Sequence, residues 1–385
     1  MVFRRSKKGT VKTPSPRIKE LKFMLSRVAK SPLSLLGSAI IIFYGVMALL
    51  APVLAPPNPS WDIQRYPGKS AFIIPRVTYV AQPQPPTPQN PFGLTPDGYD
   101  IYYGCVWGSI TAFRVGVYVV ALSLIAGLSI GLVAGYYGGI IDEILMRFTD
   151  VIIVFPGLIL AMAFAIALPP SLSITLREVL PIISVILLLL TITPILSHKG
   201  IRWTWIILQD ATILTLAISI LLFTNNLPNL TLLSLELTKL DKTLIALVLV
   251  GWPGYTRVIR GEVLRVRTED YIEASKAAGC SDFRIITRHI LPNAVYPVLI
   301  LASLDIGSIV LTAAALSFLG IGSDPEFADW GQLVQKSQEW ISSGNLIPIW
   351  YVWVIPGAFI FGFSLGWNLL GDAIRDILDP TLRRR

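Results

Sequence analysis

Long uncharged runs constrain this chain more than any other feature of its sequence. Residues 33–55 contain no Asp, Glu, Lys or Arg over 23 positions. A helix of about 20 apolar residues is long enough to cross the hydrocarbon core of a bilayer. Similar runs recur along the chain, and only 15% of its residues are charged, against about 25% in soluble domains. We therefore predict an all-α integral membrane protein, built as a polytopic helical bundle.

The apolar runs predict eight transmembrane helices, placed at 32–55, 109–135, 151–169, 179–197, 203–224, 243–260, 294–318 and 348–370. The fourth and fifth form a hairpin around a basic linker, and a hairpin that lies in the membrane interface without crossing it is the alternative. The predicted segments are a basic tail 1–31, the first helix 32–55, a Pro-rich loop 56–105, a transmembrane domain 106–371 and a C-terminal tail 372–385. The transmembrane domain contains the hairpin segment 170–242 and a polar loop 261–292.

Basic residues predict the orientation of the chain. Residues 1–31 carry ten Lys and Arg and one Glu, and we interpret the first helix as a retained span and not as a cleaved signal. With a cytoplasmic N-terminus and eight spans, 24 of the 32 Lys and Arg face the cytoplasm, the side that positive residues favour. Both termini are then cytoplasmic, the chain lies in the cell membrane among bilayer lipids, and its net charge of +8 requires no nucleic acid. Cys105 and Cys280 fall on opposite sides and should not pair.

The polar stretch 268–293 separates two predicted spans and encodes two short helices. Thr268 can cap the first helix, and Gly279 can end it in a left-handed conformation. Ser281 and Asp282 can start the second helix, and Pro292 can end it. Small side chains on the first helix would let another backbone come close, and they are Ala274, Ala277 and Ala278.

The spacing of this stretch resembles the EAA loop of ABC-importer permeases, in which E-A-A is followed by three residues, G, nine residues and I-x-L-P. Here 273–275 reads Glu-Ala-Ser, Gly279 follows, and 289–293 reads His-Ile-Leu-Pro-Asn. Ser275 replaces the second Ala and His289 the Ile, and this form is similar to the dipeptide/oligopeptide/nickel branch. Further similarity to that family covers most of the chain outside 56–89 and 170–242. It implies six family-type spans plus an inserted pair at 170–242.

The resemblance also implies a function and a set of partners. The chain would be the "C"-type permease subunit of an ATP-driven importer. Its partners would be a homologous second permease, two ABC ATPase subunits and an external substrate-binding protein. ATP and Mg would be held by the ATPase subunits, and this chain itself would need no cofactor. Peptides are the default substrate of the family, with oligosaccharides and nickel as alternatives. The polar stretch would be the coupling helix, with Tyr271, Glu273, Ala274, Ser275, Gly279 and Arg284 docking on the ATPase.

Asp305 is an acidic residue well inside a predicted span. A midspan Asp costs roughly 2.5 to 3.5 kcal/mol on translocon scales, so it should face protein or water and not lipid. One hypothesis places it on the translocation path or against the partner permease. The other treats it as a carboxyl satisfied between two helices.

The sequence shows no pattern typical of an enzyme or a metal site. His198 and His289 lie far apart, and no metal-ligand spacing is present. We therefore predict a transporter subunit without catalytic residues, and an ion-coupled secondary transporter or a membrane scaffold are the alternatives. Asn229 begins an Asn-Leu-Thr triplet that could accept a glycan, although we expect it to be unmodified.

Overall fold

A computed structural model describes residues 31–57, 70–175, 231–344 and 347–378. The helices are α1 Pro32–Leu49, α2 Ala51–Leu54, α3 Ile101–Tyr137, α4 Gly139–Val154, α5 Gly157–Ala167, α6 Lys239–Val266, α7 Asp270–Ala277, α8 Asp282–Ile285, α9 Leu291–Ala294, α10 Tyr296–Phe318, α11 Trp330–Gln335, α12 Gln338–Ser342 and α13 Tyr351–Leu378. Two strands, β1 Ser171–Thr175 and β2 Thr231–Glu236, belong to a second compact unit formed by residues 168–238.

Four of the described helices are long and apolar enough to cross a membrane, namely α1, α3, α10 and α13. The pair α4 and α5 would add a fifth crossing if the two helices count as one broken span. Helix α6 covers the predicted span 243–260 but carries charged residues near both ends. The predicted spans 179–197 and 203–224, and with them His198 and Asn229, lie outside the described residues.

The span predicted at 151–169 is not one continuous helix. Helix α4 ends at Val154, α5 begins at Gly157, and the two axes differ by 95°. The cause is Pro156, because a proline ring disfavours helical geometry in the residue before it. Phe155 accordingly has an extended backbone, with φ −79° and ψ 140°.

The prediction of a purely α-helical chain needs one correction. Strands β1 and β2 pair in antiparallel register, with Ser171 opposite Glu236 and Ser173 opposite Ser234. The strands form the two ends of the segment that was predicted as an inserted hairpin. Ile174, Thr175 and Thr231 are β-branched residues that suit strands, so a local signal for this ribbon exists.

Helices α3 and α6 pack closely through three glycines spaced four residues apart. A Cβ at Gly127 would lie 2.5 Å from the Tyr255 Cβ, and a Cβ at Gly135 would lie 2.8 Å from the Val263 Cβ. A Cβ at Gly131 would collide with Ile259 and lie 2.7 Å from the Thr256 carbonyl oxygen. Small residues at this spacing let the backbones of membrane helices approach each other. The α3–α6 pair therefore forms the central contact of the bundle.

The described part of the Pro-rich segment, residues 70–100, covers one end of this bundle. It is mostly irregular, as predicted, but the second long helix starts earlier than expected, at Ile101, where the Asp100 carboxylate accepts a hydrogen bond from the Tyr102 amide at 2.9 Å. Phe72 stacks on Phe327 at 5.5 Å, and Cys105 is buried below. Cys280 lies on the polar loop, and the two thiols do not pair, as predicted.

Candidate functional site

The first helix of the polar loop ends as its sequence predicts. Gly279 has φ +76°, which only glycine adopts without strain. Its amide donates to the Lys276 carbonyl at 2.9 Å, and the Cys280 amide donates to the Ser275 carbonyl at 3.1 Å. These two hydrogen bonds form a Schellman motif, which satisfies the last carbonyls of α7.

The predicted cap at Thr268 is wrong. Glu269 occupies the N-cap position, with an extended backbone and no side-chain capping bond. The Thr268 hydroxyl instead donates to the Arg265 carbonyl at 2.8 Å. Threonine hydroxyls often bond back to the preceding turn, and here that bond closes the end of α6.

The second helix starts at Ser281 as predicted, but Pro292 does not end it. Residues Ile286–Ile290 form a π-turn between α8 and α9, and the Leu291 amide donates to the Ile286 carbonyl. A proline inside an α-helix lacks one amide donor and crowds the carbonyl four residues earlier. The wider turn relieves this conflict, and the Asn293 side-chain amide donates to the His289 carbonyl at 2.7 Å.

Three isoleucines fix the polar loop to the bundle. Ile272, Ile285 and Ile290 are fully buried and pack in one cluster with Val263 and Val266 of α6. Burying a side chain of this size contributes about 1.5 to 3 kcal/mol. The loop is therefore attached firmly to the end of α6 and does not hang as a mobile connection.

Polar contacts join the same loop to the end of α3. The Tyr136 hydroxyl donates to the Asp282 carboxylate at 2.6 Å, and the Lys276 ammonium lies 5.4 Å from the centre of the Tyr136 ring. The Arg267 guanidinium donates to the carbonyls of Gly135 and Tyr136 at 2.9 and 3.2 Å. A cation at the C-terminus of a helix is favourable because the helix dipole is negative there.

The opposite face of the loop is open, and most of the predicted docking residues lie on it. The exposed ones are Tyr271, Glu273, Ala274, Gly279 and Arg284. Ser275 is half-buried and donates to the Tyr271 carbonyl at 2.7 Å. Phe283 was not among the predicted docking residues, yet it is 78% exposed on this face. The sequence shows that an aromatic residue occurs here, but the exposure of its side chain depends on Ile285 and Ile290 taking the buried positions.

Two ion pairs connect α4 with α6. The Arg260 guanidinium donates to both oxygens of Asp142 at 2.6 Å, and Arg257 reaches Asp150 at 2.6 Å. Glu143 and Arg147 also pair, at 2.6 Å, but this pair lies within α4 and is exposed. Among the described residues, no three His, Cys, Asp or Glu side chains are placed to hold a metal ion.

Asp305 meets a partner from another helix. The Tyr255 side chain of α6 lies beside the Asp305 carboxylate of α10, close enough for the two groups to interact. Asp305 is half-buried, and Tyr255 is 2% exposed. This geometry supports the hypothesis of a carboxyl satisfied between helices.

The comparisons with known proteins agree with this arrangement. Residues 127–384 match the family described as binding-protein-dependent transport system inner membrane component. The chain belongs to this family. Residues 22–86 match the N-terminal transmembrane domain of oligopeptide transport permease C. The chain is therefore a multi-pass membrane permease of the C type, a transporter subunit of an ABC importer, and the family predicted from the polar loop is confirmed.

Individual relatives extend over nearly the whole permease. The dipeptide transport system permease protein of Alkalihalophilus pseudofirmus is 29% identical over 93% of this chain and 88% of its own length. The probable D,D-dipeptide transport system permease protein of Escherichia coli K12 is 28% identical over 91% and 88%. The glutathione transport system permease protein of Pectobacterium atrosepticum is 26% identical over 77% and 75%.

Substitution of Asp305 separates the two hypotheses for this residue. Asp305→Asn keeps an acceptor for the Tyr255 hydroxyl, so we expect uptake and thermal stability close to those of the unmodified permease. Asp305→Ala removes the polar group that lies beside the buried Tyr255 side chain and should lower the free energy of unfolding by about 1–3 kcal/mol. Thermal denaturation in detergent measures the second effect, with Tyr255→Phe to close a double-mutant cycle. Loss of uptake in Asp305→Asn at unchanged stability would instead support a role on the translocation path.

Proposed function

We propose that this permease imports short peptides in an ATP-driven complex, and that residues 268–293 form the surface on which an ATPase subunit docks. The observation that carries the docking proposal is the pairing of a buried isoleucine face with an exposed face around Phe283. A surface that transmits force to the bundle must be fixed to it on one side and accessible on the other. The polar loop has both properties.

The proposed complex contains four kinds of protein. This chain would pair with a homologous second permease, two ATPase subunits would hold ATP and Mg, and an external binding protein would deliver the substrate. The family description, a binding-protein-dependent transport system component, supports the last partner. The peptide proposal rests on relatives that are named for dipeptides, D,D-dipeptides and glutathione.

The orientation of the permease follows from the same proposal. ATP is cytoplasmic, so the polar loop would face the cytoplasm, and the Pro-rich segment at the other end of the bundle would face outward. Both termini would then be cytoplasmic. The excess of Lys and Arg in residues 1–31 and 257–288 supports this orientation.

The docking surface combines an aromatic anchor with small neighbours. Phe283 would enter a pocket of the ATPase, while Ala274 and Gly279 would allow the two backbones to approach and Glu273 and Arg284 would supply charged contacts. Tyr271 and Ser275 complete the surface. ATP binding would draw the ATPase subunits together and favour one of two arrangements of the spans, because a ligand shifts an equilibrium toward the state that it binds better.

Co-purification tests the proposal. The permease is recovered from detergent-solubilised native membranes, and the amounts of ATPase and second permease recovered with it are measured. Phe283→Ala should reduce ATPase recovery, since loss of a buried aromatic anchor typically costs about 2 kcal/mol, or ~30-fold in affinity. Recovery of the second permease should not change.

Phe361→Ala is the matched control, since Phe361 is 67% exposed on α13, far along the chain from the docking surface. It should leave ATPase recovery unchanged. If the unmodified permease recovers no ATPase after mild crosslinking, the docking proposal is wrong.

A further inference from the structure

Two routes lead from the docking surface, residues 268–293, into the bundle: one along α6, and one from α6 into α4. Helix α6 enters the loop directly, because only three residues separate Val266 from α7. Farther along α6, Pro253 lies inside the helix and has no amide to donate to the Leu249 carbonyl. Proline weakens and kinks a helix at such a position. A displacement of the loop is therefore transmitted well along α6 only as far as this proline.

Helix α4 offers the second route, and its connection to α6 lies between Pro253 and the loop. Arg260 holds Asp142 through two hydrogen bonds of 2.6 Å, with the Asp142 side chain only 16% exposed. Bidentate charge-assisted pairs of this kind are geometrically specific. Arg257 and Asp150 add a second pair, but both side chains are about half exposed, and exposed pairs contribute little. The Asp142–Arg260 pair is therefore the main polar connection.

The far end of α4 reaches an apolar cleft. The 95° bend at Phe155 and Pro156 turns the chain into α5, whose Gly157 and Leu158 face α6 and α10 across a cleft of about 360 Å³. The other lining residues are Leu247, Val250, Gly251, Ile309, Leu311, Thr312 and Ala315. Only Phe155 and Pro156 separate α4 from α5, so α4 is the element that leads directly to the α5 wall of this cleft.

We propose that Asp142 and Arg260 are positioning residues that make α4 and α5 move together with residues 268–293, the coupling loop. Movement of the docked ATPase would then open or close the cleft between α5 and α10. The inference rests on the proposed docking of an ATPase on residues 268–293. It assigns a transmission role to a pair that lies outside the proposed docking surface.

A distance measurement on the purified complex tests this role without knowledge of the substrate. Spin labels are attached to cysteines introduced at Leu158 and Thr312, on opposite walls of the cleft, in a Cys280→Ser background. The distance is measured without nucleotide and after trapping with ATP and vanadate. The shift seen in the parent permease should be lost in Asp142→Ala and in Arg260→Ala, while ATPase recovery and ATP hydrolysis persist. Coupling between two sites typically changes the ratio of two conformations about 5- to 150-fold. Loss of the coupling should therefore remove most of the conformation that nucleotide trapping populates.

Two further variants serve as controls for this measurement. Glu143→Ala breaks the pair with Arg147, which lies on the same helix at the same 2.6 Å distance but joins α4 only to itself, and it should keep the full shift. Exchange of the two charges, Asp142→Arg with Arg260→Asp, should restore the shift, which a variant that merely misfolds could not do.

The outcomes separate this inference from the proposed function. If ATPase is recovered and the single variants shift like the parent, or the exchanged pair assembles but does not shift, the transmission role is overturned while docking stands. If no ATPase is recovered with the parent permease, the proposed function fails and the transmission role fails with it.

Discussion

Replacement of Gly131 by leucine is expected to lower the free energy of unfolding of this permease by about 3 kcal/mol, the upper end of the range for overpacked cores. Gly131 lies at the closest approach of α3 and α6, where even a Cβ would collide with Ile259 and lie 2.7 Å from the Thr256 carbonyl oxygen. Backbone atoms cannot move aside as the end of a flexible side chain can. The two helices must therefore separate, which also loosens the contacts at Gly127 and Gly135.

A series of variants measured by thermal denaturation in detergent tests this prediction. Gly131→Ala should destabilise the permease less than Gly131→Leu, because it adds only the first carbon. Gly254→Ala is the matched control, since Gly254 is a helical glycine on α6 where a Cβ would meet no described atom within 4 Å. It should be neutral or stabilise by about 0.4–1 kcal/mol. Equal effects at positions 131 and 254 would contradict the close packing of α3 and α6.

Features determined by a few neighbouring residues were predictable from the sequence. The left-handed Gly279, the Glu143–Arg147 pair and the apolar helices α1, α10 and α13 all follow from local rules on φ, charge spacing and hydrophobic length. The spacing of Gly127, Gly131 and Gly135 is also a local signal that predicts close helix packing from the sequence alone.

Features that depend on a second element were not predictable in this way. Pro292 alone favours the end of a helix, and only the π-turn before it and the Asn293 side chain let the helix continue. Tyr255 could not be predicted as the neighbour of Asp305, because the two residues are 50 positions apart in the sequence and meet only when α6 and α10 pack. The exposure of Phe283 likewise depends on which residues of its own helix the bundle buries.

Replacement of Gly279 by proline is expected to abolish ATPase docking while the membrane bundle remains folded. Proline fixes φ near −65°, whereas Gly279 has φ +76°, and it removes the amide that donates to the Lys276 carbonyl. It also disfavours the near-helical backbone of Ala278, the residue before it. Together these conflicts cost about 3 kcal/mol or more, so the break between α7 and α8 cannot form. The docking residues on either side of it then lose their relative positions.

Gly320 supplies a control with the same local geometry at the end of α10. Its φ is +81°, its amide donates to the Ser317 carbonyl at 2.9 Å, and a Cβ there would meet no described atom within 4 Å. Gly279 matches it in all three respects, so Gly320→Pro introduces the same backbone conflict away from the coupling loop. Co-purification should show ATPase recovery reduced by about 100-fold or more in Gly279→Pro and unchanged in Gly320→Pro, with the second permease recovered in both. Equal loss in the two variants would mean that the bundle, and not the coupling loop, determines ATPase recovery.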